Sequence, residues 1–185
     1  MSANTSSRYF ERVKGPPIAP IEANMQRFEA GPITIGVEYR VITDEIVGAL
    51  GLADTARSNN YVGLDDNGVS VHVFAQTAEG NLERLRFDCF QDDPHYHYFP
   101  SSGETLDIVH LDPAMVGDPL AWVLDRIRTR LPQLLQRAGV ANAAQLVDPQ
   151  RIEAILPLVT EAAFRSRYGT DKERVRQDAV ARASR

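Results

Sequence analysis

The stretch Ile33-Thr34-Ile35-Gly36-Val37-Glu38-Tyr39-Arg40-Val41 decides the fold class, because its odd positions are all apolar and its even positions are mostly polar or small. A period of two is typical of a β-strand that packs one face on a core. The stretch therefore predicts a half-buried strand. The following Thr43-Asp44-Glu45 favours a short helix that is capped by Thr43 and ends near Gly51.

Turn signals divide the next residues into further strands. Asp65-Asp66-Asn67-Gly68 and Glu79-Gly80-Asn81 are typical of tight turns between antiparallel strands. Asp92-Asp93-Pro94 interrupts the pattern, since proline lacks the N–H that a central strand needs. The predicted strands are residues 33–41, 60–64, 69–77, 82–90, 95–99 and 105–111. The simplest arrangement of these segments is an antiparallel meander of about five or six strands.

The final third of the chain is predicted to be helical. Asp118 and Pro119 are a typical helix start, and apolar residues then recur at spacings of three and four as far as Gly139. Asp148 and Pro149 repeat this start signal ahead of a second amphipathic helix. Strands first and helices after, without alternation, indicate an α+β fold in which the C-terminal helices cover one face of the meander.

We expect three parts in the chain. Residues 1–32 contain four prolines together with several apolar side chains, and this composition favours an extended arm that lies along the domain or reaches another subunit. Residues 33–168 are expected to form a single α+β domain, with the sheet at 33–112 and the helices at 117–168. The polar residues 169–185 are expected to be a C-terminal tail, either a frayed terminal helix or disordered.

Composition limits the classes of function. The 185 residues carry a net charge of −5, which argues against a nucleic-acid partner, and no apolar run is long enough to cross a membrane. Cys89 is the single cysteine, so multi-cysteine metal sites are excluded and a cytoplasmic location is expected. Residues 1–118 carry a net charge of −10 and residues 119–185 carry +5. This asymmetry favours packing of the two halves within one chain or in a homodimer, with a larger protein partner as the alternative.

The histidines suggest a metal site. His95 and His97 lie two residues apart between Asp92-Asp93 and an aromatic sequence, and they are two of only four histidines in the chain. Side chains two apart in a strand share a face, so the two imidazoles are predicted to project together. Two imidazoles and a carboxylate are a ligand set for divalent first-row metals, and zinc, manganese and iron are the candidates.

The third metal ligand depends on the register of the following strand. A five-residue loop after Tyr98 would set Asp107 opposite His95, whereas a four-residue loop would set Glu104 and His110 on that face. The sequence does not choose between these loop lengths. Glu104, Asp107 and His110 are therefore all candidate ligands.

Further polar and aromatic side chains of these strands are candidates to bind a small polar molecule. Alternation places several of them on the side of the sheet away from the core, and His95 and His97 join them if the tyrosines pack inward. The candidate ligand-binding residues are His72, Arg84, Arg86, Asp88, Tyr96 and Tyr98.

Two functional hypotheses follow from these residues. The first is a non-catalytic ligand-binding protein or an accessory, oligomeric subunit, which is favoured because the sequence shows no nucleophile motif. The alternative is a metal-dependent enzyme that acts on a small polar molecule through the His-x-His pair and a carboxylate. A glycine-rich phosphate loop, a nucleophile elbow, a His-Glu-x-x-His motif and a dinucleotide fingerprint are all missing from the sequence, which argues against nucleotide-driven chemistry.

Overall fold

The structure is a computed structural model that describes residues 9–14, 18–58, 62–99 and 105–183. The described residues form one seven-stranded antiparallel sheet and seven α-helices, so the fold is α+β as predicted. The strands are β1 Phe10–Lys14, β2 Gln26–Ala30, β3 Ile33–Thr43, β4 Asp65–Thr77, β5 Gly80–Phe90, β6 His95–Tyr98 and β7 Thr105–His110. The helices are α1 Asp44–Ala49, α2 Ala53–Ser58, α3 Pro113–Val116, α4 Pro119–Arg137, α5 Ala143–Leu146, α6 Pro149–Gly169 and α7 Lys172–Ala183.

The sheet has the strand order β1-β7-β6-β5-β4-β3-β2, so β3 to β7 run as a meander of consecutive neighbours. The N-terminal residues, for which an extended arm is predicted, supply the strands at both edges of the sheet. β2 pairs with β3 through a tight turn, where Gly31 has a φ of 68° that favours glycine. β1 pairs with β7 at the opposite edge. These two edge strands bring the sheet to seven strands.

The stretch Asp65-Asp66-Asn67-Gly68 is part of β4 and pairs with the end of β3, although its composition predicts a hairpin turn. Position 68 needs a glycine for a reason other than a turn. A Cβ on Gly68 would lie 2.3 Å from the carbonyl oxygen of Cys89 in β5. Residues 62–64 of the predicted strand 60–64 are not in a strand, and residues 60 and 61 lie outside the described residues. The turn signal therefore reflects close contact between two strands.

Helix starts follow the capping signals of the sequence. The hydroxyl of Thr43 accepts a hydrogen bond from the backbone N–H of Ile46 at 3.2 Å, and α1 begins there. Carboxylates of Asp118 and Asp148 accept backbone N–H groups in the first turns of α4 and α6, at 2.9 Å in each case. Each cap satisfies backbone donors that have no partner within the helix. Residues 172–183 of the predicted polar tail form α7, which buries Val175 and Ala179.

One face of the sheet carries the hydrophobic core. Alternate residues of the central strands are fully buried there, among them Val37, Val71 and Phe87. They belong to the same cluster as the apolar stripe of α4, which includes Leu120 and Leu131. α6 contacts β2, β3 and β4, α7 contacts β3, and α4 contacts β5. The helices and this face of the sheet thus share one core.

The opposite face of the same strands, called the polar face below, is also buried. Its buried charged and hydrogen-bonding side chains include Glu38, Arg40, Ser70, His72, Arg84, Arg86 and Asp88. The segment from Ile18 to Met25 lies over this face. The carbonyl oxygen of Ile18 accepts hydrogen bonds from Arg40 at 3.1 Å and Arg86 at 2.8 Å. Gly36 leaves the space that Met25 fills, since a Cβ there would lie 2.6 Å from the Met25 sulfur.

Candidate functional site

A pocket of about 190 Å³ opens over the polar face and is called the sheet-face pocket. This volume is more than ten times the roughly 15 Å³ that one ordered water needs, so a small molecule fits. Its apolar walls include Val47, Leu52 and Ala56 on the α1–α2 side, and Val13, Leu106 and Ile108 on the β1–β7 side. Its floor is formed by Arg40, Arg86, Asp88, His95 and His97, and Asp66 and Asp93 also line the pocket. Apolar walls with a few convergent polar groups are typical of small-molecule sites.

Asp88 of β5 is the centre of the pocket floor and is 2% exposed. Its Oδ1 accepts a hydrogen bond from the hydroxyl of Ser70, and its Oδ2 accepts one from Nε2 of His97 at 3.0 Å. Nε2 of His95 lies 3.6 Å from the same Oδ2. Burial raises the pKa of the Asp88 carboxyl, but the His97 hydrogen bond and the positive charge of Arg40 outweigh burial and hold this pKa well below its usual value. Asp88 is therefore a carboxylate at neutral pH.

His95 of β6 presents one nitrogen to Asp88. Its Nδ1 lies 2.7 Å from the backbone carbonyl oxygen of Asp93. A carbonyl oxygen can only accept a hydrogen bond, so Nδ1 of His95 carries the proton. The neutral ring then has its lone pair on Nε2, the nitrogen that lies near Asp88.

His97 lies on the same side of β6, with 12% of its side chain exposed. Burial lowers the pKa of His97 to about 4, although the hydrogen bond to Asp88 acts in the opposite direction. The ring is neutral at neutral pH and donates through Nε2 to Asp88. Its Nδ1 is buried and has no hydrogen-bond partner among the residues that the structure describes.

Two groups of side chains have a geometry that could hold a metal ion. In the first, one ligand atom from each of Asp88, His95 and His97 lies within 4.8 Å of the others. The second group consists of Asp93, His95 and His110 and meets the same criterion. Nδ1 of His95 approaches an Asp93 carboxylate oxygen to 3.8 Å in this second group, but Nδ1 already donates to a carbonyl. The first group is therefore the better candidate, since it uses the His95 nitrogen with the lone pair. To bind a metal through Nε2, His97 would carry its proton on Nδ1 instead.

Buried ion pairs surround the site on the polar face. A β-bulge at Val73 and Phe74 shifts the register between β4 and β5, and Glu83 pairs opposite Phe74. Glu83 accepts hydrogen bonds from Arg86 at 2.9 and 2.7 Å and lies 2.6 Å from Nδ1 of His72. Burial raises the pKa of Glu83, but these hydrogen bonds outweigh it and bring the pKa to about 2. Glu83 is therefore charged at neutral pH and neutralises Arg86.

The structure brings four of the predicted site residues together: Arg86, Asp88, His95 and His97 line the sheet-face pocket. His110 pairs directly opposite His95, and its Nδ1 lies 2.7 Å from an Asp93 carboxylate oxygen. It therefore belongs to the second group.

The other predicted residues lie elsewhere. His72 and Arg84 are buried on the polar face but outside the pocket lining, and Arg84 donates to Glu79 at 2.8 Å. Asp107 pairs opposite Tyr98 and accepts hydrogen bonds from Arg12, so it does not share a face with His95. Glu104 lies outside the described residues.

The two tyrosines face the helices and not the pocket. Tyr98 is 3% exposed and belongs to the hydrophobic core, with the guanidinium of Arg137 4.8 Å above its ring. The ring of Tyr96 lies 5.5 Å from that of Phe87 and 6.2 Å from that of Trp122. Because the tyrosines point to the core, the histidines that alternate with them point to the polar face.

Two important residues are absent from the predicted set. Arg40 is on the pocket floor, and its even position in the first quoted stretch indicates the polar face but not its neighbours. The carboxylate of Asp66 accepts backbone N–H groups of residues 91, 92 and 93 at 2.9 to 3.3 Å. It thereby holds the loop that leads into His95. The predicted turn at Asp66 gave no indication of this role.

The fold and the pocket together define an α+β domain with a buried polar face and a His/Asp site. The chain belongs to the family described as Domain of unknown function (DUF7700), which matches residues 27–163. The matched segment contains all five residues of the pocket floor. No curated protein and no solved structure matches the chain. Among the described residues, no helix is both long and apolar enough to cross a membrane.

Proposed function

We propose that this protein is a metal-dependent enzyme in which Asp88, His95 and His97 hold a divalent first-row metal ion, with a small molecule bound beside it. The observation that carries the proposal is the convergence of three ligand atoms, all within 4.8 Å of one another, at the floor of a pocket. Two histidines and one carboxylate are a recurrent ligand set for zinc, manganese and iron. A set of three protein ligands leaves coordination positions open, and here these would face the pocket.

Hydrogen bonds to the proposed ligands support this assignment. A metal-binding histidine usually donates its other nitrogen to a carbonyl or carboxylate, and His95 donates Nδ1 to the carbonyl of Asp93. Ser70 donates to Oδ1 of Asp88 and so orients the carboxylate, which leaves Oδ2 toward the histidines. When bound, the metal would act as a Lewis acid on an oxygen of the small molecule.

We also propose that the C-terminal helices form a cover over the apolar face and leave the polar face as the binding side. The contacts of α4, α6 and α7 with the strands support this division. A binding site on the polar face lies away from this cover. Ligand entry would then require no rearrangement of the main core.

A non-catalytic ligand-binding protein is the second candidate. The bidentate pair of Arg86 with Glu83 favours it, because a pocket-floor cation that is already neutralised serves binding and stability without taking part in a reaction. The two candidates share the pocket and differ in turnover. Liquid chromatography and mass spectrometry of a pocket-bound molecule before and after incubation with metal-loaded protein distinguish them, since an enzyme converts its ligand to a product and a binding protein returns it unchanged.

Metal titration of chelator-stripped protein tests the proposed site. We expect one ion per chain to bind to the natural protein, measured by calorimetry and by elemental analysis with zinc, manganese and iron(II). His97→Gln is expected to weaken binding by at least about a hundredfold, because second-shell changes alone cost 10- to 100-fold. His110→Gln is the matched control, since it changes a histidine of the second group alone, and its affinity should stay within about threefold.

Two outcomes would contradict the metal site. If none of the three metals binds stoichiometrically, the protein is not the metal-dependent enzyme proposed here. If His110→Gln loses metal binding and His97→Gln retains it, the metal site is the second group instead of the first. Circular dichroism of both variants checks that the sheet remains folded.

A further inference from the structure

Arg40 differs from the other buried arginines of the polar face. Arg86 forms a bidentate pair with Glu83, and Arg84 donates to a carboxylate at 2.8 Å. Arg40 is only 6% exposed, yet the carboxylate oxygens nearest to it are 3.7 Å away in Asp88 and 3.8 Å away in Glu38. These distances exceed a hydrogen bond. Arg40 is therefore a buried cation on the pocket floor that lies within ion-pair range of two carboxylates but has no hydrogen bond to either.

The hydrogen bonds of Arg40 are also incomplete. A guanidinium has five N–H donors, and within the described residues the Arg40 side chain donates to the carbonyl oxygen of Ile18 alone, at 3.1 Å. Burial lowers the pKa of Arg40, and the positive charge of Arg86 acts in the same direction, while Asp88, Glu38 and Glu83 raise the pKa without reversing the shift. The net lowering expresses the cost of a buried charge that is only partly compensated. An anion that enters the pocket would supply the missing acceptors.

The walls of the pocket determine the rest of the ligand. Val47, Leu52 and Ala56 form one side, and Leu106 and Ile108 form the other. Such walls favour a hydrocarbon body over a polar one, since the transfer of CH₂ groups from water to an apolar surface is favourable. The charged floor and apolar walls together fit a molecule with one anionic end.

We propose that the sheet-face pocket binds an amphipathic monocarboxylate, with the carboxylate on Arg40 and the hydrocarbon chain between the apolar walls. The inference rests on the proposed function in that the acid and the metal share one pocket. A single negative charge fits better than two, because Asp88 and Glu38 flank Arg40 and repel a dianion. A carboxylate also matches the planar fork of a guanidinium.

Binding of sodium octanoate, octanamide and octyl phosphate to the metal-loaded protein, measured by calorimetry, tests this inference. We expect octanoate to bind at least about tenfold more tightly than the neutral amide and more tightly than octyl phosphate. Arg40→Met is expected to remove the preference for octanoate over octanamide. Arg12→Met is the matched control, since Arg12 is exposed and paired with Asp107 on the other face, and the preference should persist.

A second variant keeps the test decisive if Arg40→Met does not fold. Ala56→Trp fills the pocket from α2 without changing the pocket floor, and it should abolish binding of both octanoate and octanamide. Equal affinity of octanoate and octanamide, tighter binding of octyl phosphate, or unchanged octanoate binding in either pocket variant would overturn the inference.

Metal content measured on the same preparations separates this inference from the proposed function. Arg40→Met should bind one metal ion per chain while losing octanoate selectivity. Metal binding without octanoate selectivity in the natural protein would overturn the carboxylate inference alone. Octanoate selectivity in a natural protein that binds none of the three metals would support the Arg40 site and overturn the metal site.

Discussion

The two faces of the sheet are built from alternate residues of the same strands and are buried to a similar extent. Phe87 is fully buried against the helices, and the next residue, Asp88, is 2% exposed on the polar face. Side chains of the apolar face are stabilised by close packing and by the area they bury. Each charge on the polar face also needs a partner of opposite charge or a hydrogen bond. Where the partners are complete, as for Arg86 and Glu83, the polar face is structural. Where the hydrogen bonds are incomplete, as for Arg40, donors remain for the ligand proposed above.

The first prediction concerns the apolar face and has the largest expected effect. Phe87→Ala removes a fully buried ring that lies 5.5 Å from Tyr96, and we expect a loss of about 4 kcal/mol in the free energy of unfolding. Urea unfolding followed by circular dichroism measures this change. Phe10→Ala is the matched control, because Phe10 is 49% exposed at the sheet edge, and its expected loss is below about 1 kcal/mol. Equal losses in the two variants would contradict the assigned core.

The second prediction concerns the paired charges of the polar face. The pKa of Glu83 is about 2 in the folded protein, below the ordinary value of 4.5. A carboxyl with a depressed pKa stabilises the fold above its unfolded pKa, and this stability is lost as the pH falls from about 4.5 to about 2. Glu83→Gln should therefore cost about 3 kcal/mol at neutral pH, and the difference from the natural protein should vanish toward pH 2.

Urea unfolding at a series of pH values measures the Glu83 effect. Glu79→Gln is the control, because the Glu79 side chain is 56% exposed although it also pairs with an arginine. Water screens the exposed Glu79 carboxylate, so this variant should lose less stability at neutral pH than Glu83→Gln and should follow the acid profile of the natural protein. If Glu83→Gln loses stability below pH 4.5 as steeply as the natural protein does, the pairing with Arg86 and His72 does not lower the pKa of Glu83.

Much of the fold is predictable from local pattern. A strand is identified by the alternation over residues 33–41, and three helix starts are identified by the caps at Thr43, Asp118 and Asp148. Both signals depend only on residues that are close in sequence. The edge strands β1 and β2 were not predicted as strands, because prolines dominate the composition around them. β1 is held by pairing with β7, which is far away in the chain. β2 pairs with its neighbour β3 through the turn at Gly31.

The candidate site was partly predictable for the same reason. The His95 and His97 pair is visible in sequence, since a shared face follows from a spacing of two in a strand. The proximity of Asp88 to this pair depends on the register of β5 and β6, which sets Asp88 opposite His95. Glu83 reaches Arg86 only where the bulge shifts the register, and a regular alternation places Glu83 on the apolar face. Register and bulges are tertiary features that a single sequence does not specify.

The third prediction tests the loop between β5 and β6 that leads into His95, and it has the smallest expected effect on stability. Asp66 accepts three backbone N–H groups of this loop with both carboxylate oxygens, and an asparagine can accept with one end only. Asp66→Asn should lower the free energy of unfolding by about 1 kcal/mol and weaken metal binding about tenfold, because the carbonyl that orients His95 belongs to Asp93 in the same loop. Asp65→Asn is the control, since Asp65 pairs with Arg176 at the surface, and metal affinity should not change. If both variants bind metal as the natural protein does, the loop does not position His95, and the ligand geometry must be held by β6 alone.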